Sequence, residues 1–111
     1  MKRHALIIIT HFKPEWSNLS EEEQAGYAAR VRRAAGQANV TPIVGYTLTT
    51  PGSLLEIWEA DDKDSLEHFR QKLDALGYKK YYEQVMMLGE RAAEWIQAAP
   101  LKDTKAKIKS S

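Results

Sequence analysis

Three strand-length segments of this chain carry apolar side chains on both faces. In HALIIITHF at positions 4–12, Leu6 and Ile8 alternate with Ala5, Ile7 and Ile9. In LLEIWEA at 54–60, Leu55 and Ile57 alternate with Leu54 and Trp58. In EQVMML at 83–88, Val85 and Met87 alternate with Met86 and Leu88. Successive side chains of a strand point to opposite faces of its sheet, so a sheet built from these segments needs cover on both. One layer of helices covers only one face. The economical cover for the other is a second copy of the sheet across a two-fold axis, which predicts a face-to-face homodimer.

The intervening segments read as helices, turns and one further strand. Ser20 followed by Glu21, Glu22 and Glu23 is a capping box, and three acids in a first turn also suit the helix dipole. That helix is expected to run to about Gln37, with Tyr27, Val31, Ala34 and Ala35 on its apolar face. Residues 40–49 (VTPIVGYTLT) form the second strand, where Pro42 points to an edge position or a bulge. Thr50-Pro51-Gly52-Ser53 is a turn. Asp64 is the expected N-cap of a second helix, in which Leu66, Phe69, Leu73 and Leu76 recur at helical spacing until Gly77 ends it. Residues 92–99 can form a short closing helix. The order β-α-β-β-α-β predicts an α+β, ferredoxin-like fold: a four-stranded antiparallel sheet with both helices on one face. With the second copy it becomes a dimeric α+β barrel. A single domain is expected over residues 1–99, followed by a basic, disordered tail over 100–111.

Composition excludes several classes of function. The 111 residues contain no cysteine, which removes disulfides, thiolate metal sites and a cysteine nucleophile, and fits a cytoplasmic location. The formal charge is +1, yet residues 101–111 hold four lysines against one aspartate. The rest of the chain is therefore slightly acidic, with no electrostatic case for nucleic acid. No apolar run approaches the ~20 residues of a membrane helix, and the apolar stretch near the start is too short for a signal peptide. No two histidines stand at a metal-ligand spacing, so no metal site is expected, and no phosphate loop, nucleophile elbow or dinucleotide fingerprint calls for a cofactor.

Two stretches carry a family resemblance: Lys13-Pro14-Glu15-Trp16 followed by Leu19-Ser20-Glu21-Glu22-Glu23, and Tyr81-Tyr82-Glu83-Gln84-Val85 with Gly89-Glu90 behind. With the order of elements, they make the chain similar to small bacterial members of the dimeric α+β barrel superfamily that have no assigned reaction and, at greater distance, to darcynin-like proteins. The superfamily includes cofactor-free monooxygenases, polyketide cyclases, isomerases and haem-handling enzymes, so the resemblance implies a class of chemistry only. The polyketide-cyclase type relies on a Tyr/His pair around the second helix, where this chain has Phe69 and no following histidine. The haem-degrading type wants an Asn on the first strand and a Trp and His on the second helix, and this chain offers none of these in place.

Superfamily members commonly use a cavity between the helices and the sheet of each subunit. On that plan Leu6, Ile8 and Thr10 would line it from the first strand, Leu55 and Ile57 from the third, and Val85 and Met87 from the fourth. Tyr27, Val31, Phe69 and Leu73 would close it from above, with Trp16 at the mouth as a lid or a plug. Such a lining suits a hydrophobic or aromatic small molecule, or is simply packed core. Three groups are candidates for acid–base work: Tyr78, on the segment that often closes the site, His4, and His11. His11 is expected on the opposite face, paired with Glu56 either for proton transfer or to satisfy an interface. His68 reads as solvent-exposed. The expected function is a cofactor-independent enzyme acting on a small hydrophobic or aromatic metabolite, of isomerase, cyclase, lyase or monooxygenase type. The alternative is a non-catalytic small-molecule-binding or structural dimer.

Overall fold

The structure, a computed structural model, describes residues 3–92. It contains β1 (His4–Phe12), α1 (Pro14–Ser17), α2 (Glu21–Gln37), β2 (Thr41–Thr47), β3 (Ser53–Ala60), α3 (Lys63–Ala75) and β4 (Tyr82–Glu90). The four strands form one antiparallel sheet in the order β2-β3-β1-β4, the ferredoxin-like arrangement. The expected closing helix and basic tail fall outside the described residues, apart from Ala92 at the closing helix's first position.

Local chemistry accounts for most boundaries. Ser20 Oγ accepts from the Glu23 amide and the Glu23 carboxylate accepts from the Ser20 amide, both at 3.0 Å, so the capping box forms as expected. The second N-cap is Asp62 rather than Asp64: Asp62 Oδ1 accepts from the Ser65 amide at 2.7 Å. Both aspartates suit a cap, but the extended backbone at Asp62 starts the helix one residue later, at Lys63. Gly77 takes a positive φ just beyond the helix end, as a terminating glycine should. Pro42 stands on the edge strand β2 beside a register shift, which satisfies both expectations for it.

Pairing register settles which side chains share a face. Leu6, Ile8 and Thr10 lie opposite Trp58, Glu56 and Leu54 of β3. On the other side of β1 they meet Leu88, Met86 and Gln84 of β4. This is the face the helices cover, and Phe69, Leu66, Leu6 and Ile8 are its most buried side chains. The opposite face presents Ile7 and Ile9 beside Ile57 and Leu55 on one side and Met87 and Val85 on the other. Leu55, Ile57, Val85 and Met87 were expected to line the helix-side cavity, and their register puts them on the other face. The reason is size. Trp58 has the opposite phase from Ile57, it is 4% exposed, and its ring lies 4.9 Å from that of Phe69. Because β3 and β4 are apolar on both sides, alternation leaves their phase open, and the bulkiest groups decide it.

The uncovered face is bounded by polar groups. At one end Glu59, 5% exposed, is held by Arg3 at 3.0 Å and by Arg91 at 2.6 Å. At the other, His11 Nδ1 lies 2.9 Å from Ser53 Oγ. Among the described residues no second layer lies over the apolar band between them, and Val85 and Met87 are 59% and 46% exposed.

Candidate functional site

The helices leave part of the sheet open on their own side. β2 is largely exposed along its length. Between α2 and the β2–β3 half of the sheet lies a crevice of about 410 Å3, within the range of small-molecule sites. Ile8, Thr10 and Phe12 form part of its floor, Val31 and Tyr27 its roof, and Pro42 and Ile43 its outer edge. α1 brings Trp16 to the mouth. Its start is fixed by Pro14 at the first helical position. The Gln24 side chain ties it to α2 by donating to the Trp16 carbonyl at 3.0 Å.

An aromatic cluster stiffens this wall. The Trp16 ring meets Phe12 at 4.9 Å and Tyr27 edge-on at 5.4 Å. Tyr27 is also packed by Tyr78 at 4.3 Å and donates its hydroxyl proton to the Tyr82 hydroxyl at 2.6 Å. Burial, reinforced by that bond, pushes the Tyr27 phenol far above its ordinary range. It therefore stays protonated at neutral pH and serves as a donor. On the floor, Gln84 Nε2 donates to Thr10 Oγ1 at 3.0 Å.

One ionisable group stands out against this apolar lining. Glu56 lies on the helix side of β3, opposite Ile8, half-buried in the crevice. Its carboxyl makes no hydrogen bond or ion pair with a described residue, and desolvation raises its pKa above the ordinary value of 4.5. Three residues along the same strand and on the other face, Glu59 is held by two arginines. The expected pairing of Glu56 with His11 does not form, because the register puts the two on opposite faces.

The other candidates scatter. Ile8, Thr10, Trp16, Tyr27, Val31 and Leu73 line the crevice as expected, and Ile57 borders it despite its register. Leu6 and Phe69 are fully buried in the adjoining core. Tyr78 borders a separate pocket with Arg30, whose guanidinium donates to its hydroxyl. His4 is at the far end of β1 from Thr10, with Nδ1 4.0 Å from the Glu90 carboxylate. His68 is exposed. Sequence reasoning missed Glu56 as a lining group. Its one signal was an acid inside an otherwise apolar strand, and that signal is useful only once the phase of the strand is known. Among the described residues no cluster of His, Asp or Glu could hold a metal ion, and no helix is long and apolar enough to cross a membrane.

No protein-family model and no curated protein matches the chain. Among solved structures it is similar to a de novo designed protein, Foldit4, with a TM-score of 0.53 and 16% identity over 80% of this chain and 97% of that one. A protein described as a glycine cleavage system transcriptional repressor aligns with a TM-score of 0.48 and 15% identity over 83% of this chain. The chain spans about half of that protein's length, 47%. Likeness at such identity shows a small α+β fold and nothing about chemistry.

The raised pKa of Glu56 has a sign that can be checked. The folded chain holds this proton more tightly than the unfolded chain, so stability is lost as pH rises from the ordinary carboxylate value through the raised one. Glu56→Gln is neutral throughout and escapes that loss. The variant is expected to melt above wild type at about pH 7.5, with the gap closing below about pH 4. Thermal unfolding across that range checks this, and a variant less stable at neutral pH would contradict it.

Proposed function

We propose that the crevice binds a small hydrophobic or aromatic molecule and that Glu56 moves a proton on it. The observation that carries this reading is the partnerless, half-buried Glu56 carboxyl in a lining of aliphatic and aromatic groups. A carboxyl with a raised pKa keeps its proton to higher pH than an ordinary one, and its conjugate base is the stronger base for taking a proton back. In an isomerisation Glu56 would deliver a proton to one atom of the ligand and receive one from another, leaving atoms and electrons conserved. Tyr27, held protonated, and the Thr10–Gln84 pair supply polar contacts that orient the ligand. The chain's own side chains supply this acid–base chemistry, and Glu56 takes the role first considered for His4, His11 and Tyr78.

The test uses a benzyl ketone, phenylacetone, in D2O. Wild type is expected to speed deuterium incorporation at the benzylic carbon over buffer, and Glu56→Gln to lose that acceleration by about 100-fold or more, as read by proton NMR. Binding of the ketone without faster exchange would contradict catalysis and favour a binding protein.

The same reading includes a homodimer formed through the uncovered face. Ile7 and Ile9 on the central strand, flanked by Leu55, Ile57, Val85 and Met87, make an apolar band suited to a like surface across a two-fold axis. Ile7→Lys is expected to convert a dimer into monomer or aggregate in light scattering. An unchanged dimer would contradict this use of the face.

A further inference from the structure

Besides Tyr27, two ionisable side chains line the crevice, and they differ in place and state. Glu56 is half-buried on the floor. Arg32 is exposed on α2, one turn beyond Ala28 and next to Val31, which also line the crevice, and so stands at its rim. Other arginines of the fold are engaged: Arg30 by the Tyr78 hydroxyl, Arg70 by Glu67, and Arg3 and Arg91 by Glu59. Arg32 makes no hydrogen bond or ion pair with a described residue. Its guanidinium is a fixed positive charge with a planar fork of donors suited to a carboxylate.

We infer, building on the proposed use of this crevice, that its ligand is an amphipathic organic monoanion, with a carboxylate on Arg32 and an aromatic or alicyclic body lying between Val31 and Ile8 toward Trp16. Charge sets the choice. Arg32 at the entrance disfavours a cation and can pair with a carboxylate, while Glu56 lies on the floor away from that rim and in its protonated form can donate to a carbonyl or hydroxyl of the body. Small Ala28 and β2 glycine Gly45 line the space the body would occupy.

Three probes of similar shape separate the possibilities: 3-phenylpropionate, its methyl ester and 3-phenylpropylamine. Each is titrated calorimetrically into wild type, Arg32→Gln and Arg33→Gln, the last an exposed neighbour that does not line the crevice. The carboxylate is expected to bind wild type roughly 5- to 10-fold more tightly than the ester, as one charge-assisted contact at a solvated rim should provide. Arg32→Gln is expected to erase that preference while leaving ester affinity and melting temperature unchanged, and Arg33→Gln to keep it. Equal binding of ester and carboxylate to wild type, a preference that survives in Arg32→Gln, or tightest binding of the amine would overturn the inference and leave the apolar crevice as a ligand site. Failure of all three probes would overturn the crevice reading, and this inference with it.

Discussion

The packing of Trp58 against Phe69 sets the arrangement on which the rest of this structure depends. β3 has apolar groups on both faces, so either phase would bury part of it. Truncating a buried Trp or Phe costs about 3–5 kcal/mol. A buried carboxyl without a partner costs about 1–3 kcal/mol, and protonation relieves part of that. The aromatic pair therefore wins. Strand alternation then carries Glu56 beneath α2 with Trp58, and turns Leu55 and Ile57 to the other side. The site's most distinctive chemical group is placed there by a packing decision made two residues away.

The half-buried Glu56 and the buried Glu59 of β3 show what that placement means. Glu59 faces away from the helices and is neutralised by Arg3 and Arg91, a pairing that anchors the ends of β1 and β4 to the middle of the sheet. Glu56 faces a crevice walled by Phe12, Trp16, Tyr27 and Trp58 and has no such partner. Phe12, Trp16 and Tyr27 brace one another, Trp58 packs on Phe69, and hydrogen bonds join Tyr27 to Tyr82 and Gln84 to Thr10. Glu56 is left as a carboxyl without a hydrogen-bond or ion-pair partner in an apolar surrounding, which is the physical basis for proposing the crevice as a site for proton transfer.

Much of the fold was legible in the chain. Ser20 and Glu23 marked the start of α2, Gly77 the end of α3, Pro42 an edge strand, and the order of elements the sheet topology. What could not be read was phase. A strand that alternates apolar with polar announces its inward face, but LLEIWEA and EQVMML are apolar on both, so Leu55, Val85 and Met87 were assigned to the wrong side. The candidate site suffered from the same ambiguity, since placing Leu55 and Ile57 inward forces Glu56 outward toward His11. α1 was hidden for a different reason: four residues are too few to show a periodicity, although Pro14 at its first position is a helix-starting signal.

The most direct measurement of the central claim is a carbon-13 NMR titration of the Glu56 side-chain carboxyl, assigned by its disappearance in Glu56→Gln. The account predicts an apparent pKa above the ordinary value of 4.5, as burial without a partner requires. Titration at or below that value would show a solvated or paired carboxylate, and would contradict Glu56 as the proton carrier of the crevice.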